Sequence, residues 1–204
     1  MVEKGDRQMK KGEKRKLELL QIAYRMFITR GYENTSVDEI IEEAGIAKGT
    51  YYYYFESKEA MLEDVISMMI EKEEEKAKAF LEADVPIPQK LVGIVASFRP
   101  TNEEQTIGDA LNRPENILMH DKTTKMLIEK ITPLFSKVVE SGIEEGIFEC
   151  DNIPERVRMI LILSDALFDG NGCSQNDVIV FIDLIEKLLG AKKGTMDFIK
   201  ELIR

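Results

Sequence analysis

TSVDEIIEEAGIAKGTYYYYFESKEAML, residues 35–62, is the stretch that decides the fold of this chain. Thr35 or Ser36 stands where a helix N-cap belongs, ahead of a short helix over 37–44. Gly45 breaks that helix, and a second short one is expected over 48–54, after which Ser57 caps a long helix running to about residue 81. Ile40 and Ala44 would face inward from the first helix and Ile46 would plug the turn. Two short helices around a glycine-containing turn form a helix-turn-helix unit, whose second helix reads bases from its N-terminal residues while flanking groups grip the backbone. Four consecutive tyrosines, Tyr51 to Tyr54, cannot all face one core, because a helix turns by about 100° per residue. At least one of them is therefore available to a partner.

Upstream, Leu17, Leu20, Tyr24 and Phe27 recur at helical intervals and stop at Gly31. Downstream, Pro86 and Pro88 punctuate the chain, and helices are expected at about 88–98, 102–112, 115–120, 122–145, 154–168, 176–190 and from 196. Strand signals are nearly absent. The expected fold is all-α, with an N-terminal three-helix domain over 1–57 and a larger helical bundle over 58–204. Within the first domain, 1–16 form a basic arm and the helix-turn-helix occupies about 36–55.

The net charge of −10 argues at first against a nucleic-acid partner, but its distribution reverses that reading. Residues 1–58 carry 11 Lys/Arg against 10 Asp/Glu, residues 59–204 carry 17 against 28, and the first 16 residues alone hold seven Lys/Arg. Basic charge is gathered where phosphates would be met. No apolar run is long enough to span a membrane and no signal core follows the basic start, so a cytoplasmic protein is expected. One histidine, no glycine-rich phosphate loop, no nucleophile elbow and no metal-ligand spacing leave nothing for an enzyme, a cofactor or a metal. Cys150 and Cys173 read as reduced structural thiols, with a redox switch as the alternative.

From about Lys14 to Ile66 the sequence resembles the TetR family of transcriptional regulators. The resemblance rests on Phe27, Gly31, Tyr32, Thr35, Ser36, Val37, Ile40, Ala44, Gly45, Lys48, Gly49, Thr50, Tyr52, Tyr54, Phe55, Ser57, Lys58 and Glu59 in order. Two positions depart from the family pattern: Ile41 replaces a small alanine, and Ala47 replaces the Ser or Thr that caps the recognition helix, which forgoes about 1 kcal/mol. The resemblance implies a homodimer on a near-palindromic double-stranded operator, acting as a repressor that a small molecule releases. A TetR-like activator, or a regulator controlled by a protein partner, is the alternative. With the family as a guide, Lys48 and Thr50 are expected at base edges with Gly49 between them. Tyr52, Tyr53 and Lys58 are expected at phosphates, with Thr35 and Ser36 offering hydroxyls or backbone amides. Tyr51 takes a slot that the family usually fills with an apolar residue, and is expected to pack.

The resemblance fades after about residue 66. VIVFIDLIEKLLG, 178–190, is apolar on nearly every face and must bury one side in its own core and one against something else. Val178, Phe181, Ile182 and Ile185, with Val157 and Leu161 of the preceding helix, are expected to form the four-helix dimer interface that the resemblance implies, with a buried core of the single chain as the alternative. A lipophilic effector is expected inside the bundle, near Met68, Phe98, Met119, His120, Met126, Phe135, Asp165 and Phe168, although each apolar residue taken singly suits ordinary packing as well. The acidic balance of this region, and Asp165 amid apolar residues, tilt the expectation towards a cationic lipophile.

Overall fold

The computed structural model describes residues 11–99, 101–168 and 174–202. Among these the chain is helical throughout, with no strand. In order come α1 (Lys11–Arg30), α2 (Val37–Ala44), α3 (Lys48–Tyr54), α4 (Lys58–Glu82), α5 (Ile87–Ser97), α6 (Gln105–Leu111), a 3-10 turn (Pro114–Asn116), α7 (Ile117–Glu144), α8 (Ile153–Phe168), α9 (Gln175–Leu189) and α10 (Ile199–Leu202). The chain divides into two compact units, Met1–Met69 with Pro100–Thr123, and Ile70–Arg99 with Thr124–Arg204. The division expected at residue 57 falls inside the first unit, which also takes in α6 and the start of α7. The basic arm, apart from residues 11–16, and Cys173 lie outside the described residues.

In the first unit, α1 buries Leu19, Leu20, Ala23, Met26 and Phe27, a stripe at helical spacing. Ser36, rather than Thr35, caps α2. Its hydroxyl accepts the Glu39 N–H at 3.2 Å, while the Glu39 carboxylate accepts the Ser36 N–H at 2.8 Å, a reciprocal box that satisfies two otherwise unmatched donors. Gly45 ends α2 in the left-handed region, φ 59°, where a side chain is strained, so the glycine sets the turn. Ile40 is fully buried, whereas Ala44 and Ile46 are half-buried. At α3 the departure at Ala47 has its expected consequence: the N-cap makes no side-chain hydrogen bond.

The sequence reading overlooked Glu104, which is 4% exposed. One of its carboxylate oxygens accepts the Tyr24 hydroxyl of α1 at 2.9 Å, and the other accepts the N–H and hydroxyl of Thr101 at 2.9 Å each. Thr106 adds a hydrogen bond to the Phe27 carbonyl at 3.2 Å. Together these polar contacts pin α6 to α1. The signal was present as Thr101-x-x-Glu104, a capping-box spacing.

The second unit gathers its core from Ala77, Ile87, Leu91, Ile94, Leu134, Val138, Val139, Phe148, Val157, Phe181, Ile182, Ile185, Leu189 and Met196. Phe80 lies on Gly93, where a Cβ would run into its ring. The break expected near residue 121 does not occur, and α7 continues through Pro133. Nothing at His120–Lys122 stops a helix, since neither glycine, proline nor a cap stands there. Pro133 removes one backbone donor, but it is exposed, and the Thr132 hydroxyl bonds the Ile128 carbonyl at 2.6 Å beside it. The Glu74 carboxylate, held below its usual pKa by Lys130 and Lys78, ties α4 to α7 through Lys130 at 2.8 Å. At the end of α9, Glu186 is 4% exposed and accepts the Met196 N–H at 3.0 Å, which anchors the segment leading into α10.

Candidate nucleic-acid interface

The four tyrosines of α3 separate by face, as the 100° rotation requires. Tyr51 is fully buried, with its ring centroid 5.6 Å from that of Phe55 and its hydroxyl donating to the Ser57 carbonyl at 3.3 Å. Burial pushes its phenol up to about 12, so it stays neutral. Tyr54 is half-buried and packs edge-on against Tyr53 at 4.9 Å. Tyr52 and Tyr53 are 49% and 80% exposed, and they present rings and hydroxyls that the chain itself does not bury.

Lys48 opens α3 and is exposed. Its ammonium meets Asp38 of α2 at 3.1 Å, and that partner raises its pKa. Both groups stand in solvent, where such a pair is weak and a phosphate or a guanine edge competes readily for the lysine. Gly49 follows, exposed, with nothing within 4 Å of where a Cβ would stand. Thr50 is half-buried. Lys58, at the start of α4, holds its ammonium 4.0 Å from the centre of the Tyr32 ring, and partial burial lowers its pKa. That contact is a cation–π interaction, which holds the ammonium against the ring face.

Thr35 and Ser36 are placed otherwise than expected. Thr35 is fully buried and its hydroxyl donates to the Gly31 carbonyl at 2.9 Å. The Ser36 amide and hydroxyl both donate to the Glu39 carboxylate, at 2.8 and 2.7 Å. Their polar groups are spent on closing the loop and capping α2, so their part is to position that helix. Two further contacts escaped the sequence reading because they join residues far apart in the chain: Arg15 donates to the Ala44 carbonyl at the end of α2 at 3.3 Å, and the Lys16 ammonium stands 5.5 Å from the Phe55 ring centre.

The residues expected around an effector are divided between the two units. Met68, Met119 and His120 belong to the first unit and are half-buried, while Asp165, in the second, is exposed, so the conditions for a buried, ligand-seeking carboxylate do not arise. Met126 is half-buried, and Phe98 packs on the second unit's core. Phe135 and Phe168 line a cavity of about 800 Å3 within that unit. Val157, Leu161, Val178, Phe181 and Ile185, expected at a dimer interface, line the same cavity. Val157, Phe181, Ile182 and Ile185 are each 5% exposed or less. The apolar surface that α8 and α9 leave open is their other face: Met159, Ile162 and Leu163 on α8, and Ile179, Val180 and Leu184 on α9. α9 is apolar on two sides, as its sequence demands, but the inward and outward sides are exchanged relative to expectation.

No described helix is long and apolar enough to cross a membrane, and no group of three or more described His, Cys, Asp or Glu residues could hold a metal ion.

Comparison with known proteins adds to this geometry. The description of bacterial regulatory proteins of the tetR family matches residues 19–65, and that of the tetracyclin repressor-like C-terminal domain matches residues 97–177. The HTH-type transcriptional repressor KstR2 of Rhodococcus jostii is 26% identical over 141 residues, which cover 67% of this chain and 69% of that protein. KstR2 of Mycolicibacterium smegmatis is 38% identical over 85 residues, covering 41% and 42%. Among solved structures, RolR in complex with resorcinol is similar with a TM-score of 0.61 at 19% identity, covering 95% of this chain and 94% of its own. The R. erythropolis repressor QsdR is similar with a TM-score of 0.60 at 14% identity, covering 89% and 97%. At such identities the structures speak for the fold alone.

Proposed function

The chain belongs to the TetR family of DNA-binding transcriptional regulators, and from that premise we propose that it is a homodimeric repressor, released from a near-palindromic operator by a small molecule. The observation that carries the DNA-reading assignment is the start of α3, where Gly49 lies open between Lys48 and Thr50 and two tyrosines stand exposed beyond them. A glycine inside a helix costs about 0.5–1 kcal/mol relative to alanine, and no neighbour among the described residues requires one here. A duplex backbone pressed against α3 does require it. In this reading Lys48 and Thr50 meet base edges or the phosphates beside them, while Tyr52, Tyr53 and Lys58 hold the backbone. Gly49→Ala is the direct test, because its two effects have opposite signs. The melting temperature is expected to rise slightly, and affinity for an operator fragment at fixed salt to fall by about tenfold or more. Unchanged affinity would remove Gly49 from the interface.

The open face of α8 and α9 supports the dimer. Six large apolar side chains, Met159, Ile162, Leu163, Ile179, Val180 and Leu184, are between 37% and 65% exposed on two adjacent helices. A contiguous apolar surface of that kind marks an interface. Ile162→Glu/Val180→Glu is expected to give monomers by sedimentation with helical content retained, together with weak DNA binding, since one recognition helix alone reads half a site. A double variant that sediments as a dimer would place the interface elsewhere.

Release is read through α4, one unbroken helix whose first half belongs to the DNA-reading unit and whose second half belongs to the other. An effector that prefers one arrangement of the second unit shifts the population of dimers whose recognition helices match the spacing of one DNA turn, about 34–36 Å. The repressor names of the relatives support the sign of regulation.

A further inference from the structure

The helix that precedes α3 carries the wrong charge for its place. α2 holds four carboxylates, Asp38, Glu39, Glu42 and Glu43, and no Lys or Arg. In a helix-turn-helix the first helix crosses the phosphate backbone, where an acidic surface is repelled. Glu39 and Glu43 are turned to the protein's own frame. Glu39 caps α2 and stands 3.6 Å from Arg30, and Glu43 stands 4.0 Å from Arg25, both arginines belonging to α1. Asp38 is different. Its partner, at 3.1 Å, is Lys48, the one Lys or Arg in α3 and part of the proposed DNA-reading surface. Both side chains are exposed, and such a pair adds little to stability. Nor does α2 depend on Asp38 for an acid in its first turn, since Glu39 supplies one.

What the pair does change is which DNA group the lysine can take. A lone ammonium on a phosphate releases a counterion whatever the sequence, and that release supplies essentially all of non-specific binding. An ammonium 3.1 Å from a carboxylate is locally neutralised and brings no such gain. The pair is weak enough to yield, but a phosphate that takes Lys48 comes to lie close to the Asp38 charge. Two like charges then meet in the closed space of an interface, where salt screens them least. A base edge carries no net charge and imposes no such conflict. The ammonium has three protons, so one can go to guanine O6 or N7 while another stays on Asp38. A carboxylate in that position is also suited to accept from a cytosine N4 amine. The pair thus stays whole on a base edge and is broken on a phosphate. A group that weakens binding in general thereby raises the ratio of operator to random DNA.

We propose that Asp38 is a specificity-determining residue, whose carboxylate withholds Lys48 from phosphates and leaves it for a base edge. The proposal rests on the reading of α3 as the DNA-reading helix, and it adds a residue of α2 that acts through Lys48. Binding of the full-length chain to a fluorescent duplex of random sequence, followed by anisotropy over a series of salt concentrations, is the test. Asp38→Asn is expected to bind that duplex about fivefold more tightly at low salt, with a salt dependence steeper by about one released ion. Asp38→Glu keeps the charge and is expected to behave as the wild type. In a Lys48→Ala background, Asp38→Asn is expected to change little, because no ammonium remains to be freed. Among genomic fragments, the near-palindrome held by the wild type is expected to stand less far above background with Asp38→Asn. An Asp38→Asn variant with wild-type affinity and salt dependence on random DNA would overturn the proposal. So would an equal gain in the Lys48→Ala background, which would mean that the carboxylate repels the backbone directly. The genomic fragments separate this proposal from the reading beneath it. If the wild type enriches no palindrome, the assignment of α3 falls and Asp38 with it. If the wild type and Asp38→Asn enrich one equally, the assignment of α3 stands and only the role of Asp38 falls.

Discussion

Tyr51→Ala is expected to destabilise the first unit by about 3–5 kcal/mol, whereas Tyr53→Ala, two residues along the same helix, changes stability by no more than about 0.5 kcal/mol. The difference follows from the helix rotation. Tyr51 has no accessible surface and packs against Phe55 and, edge-on at 5.3 Å, against Tyr52. Truncation removes a whole aromatic side chain from the place where α3 meets the start of α4, and it takes one of two donors from the Ser57 carbonyl, which keeps the Met61 N–H at 3.2 Å. Tyr51→Phe separates the two contributions, since it keeps the ring and loses only the hydrogen bond, at a cost of about 1 kcal/mol. Tyr53 is 80% exposed, so its removal leaves the core intact and is expected to show instead as weaker DNA retention. Urea and thermal melting followed by helical circular dichroism check the first part. A Tyr51→Ala protein that melts like the wild type would mean that α3 is held by something other than this ring.

Gly190→Ala is expected to cost about 3 kcal/mol or more. Two independent penalties meet there. The backbone closes α9 in the left-handed region, φ 63°, and an alanine Cβ would run into the Glu149 carbonyl, whose carbon lies 2.8 Å from the Cβ position. Backbone cannot step aside as a side-chain tip does, and the Glu149 N–H is itself tied to the Leu189 carbonyl at 2.9 Å. The same turn carries Ala191, whose N–H bonds the Glu186 carbonyl at 2.8 Å. Disturbing it loosens the segment that supplies Met196 and Lys200 to the cavity. A melting midpoint below the wild type by many degrees, together with weakened uptake of an apolar fluorophore, is the expected pair of results. Gly190→Ala with an unchanged midpoint would show that the close approach of Glu149 is not a packing constraint.

Much of the fold was legible because local chemistry spelled it out. Ser36 followed by Glu39, Gly45 after α2, Ser57 before α4 and Gly190 after α9 are short-range signals, and each element begins or ends where they stand. The tyrosine run separated by face as simple rotation requires. What escaped the sequence was long-range. The Tyr24–Glu104 hydrogen bond joins residues 80 positions apart, and no periodicity within α1 announces it. Thr35 and Ser36 looked available because hydroxyls near a helix start suit phosphate. Their use inside the loop depends on where Gly31 and Glu39 lie in three dimensions.

The rear unit was harder for a related reason. A helix apolar on all sides shows that two faces are covered without showing which faces the core, and in α9 the choice falls on Phe181, Ile182 and Ile185. The side expected to meet a partner, Phe181, Ile182 and Ile185, is the side that the second unit buries in its own core. Net charge is a sum over the whole surface, whereas a binding site answers to the few charges at its mouth. Sequence order gave no sign that Arg99 and Lys200 line the same cavity.

The central claim is that α3 reads DNA. Its most direct test is retention of genomic fragments by the purified chain at fixed salt, sequencing what is held, with Lys48→Ala/Tyr52→Ala as the control. Both residues are exposed, so the double variant is expected to fold and melt as the wild type does. The account predicts enrichment of a short near-palindrome by the wild type and its loss in the double variant. Retention of the same fragments by both proteins, or of none above background by either, would contradict it.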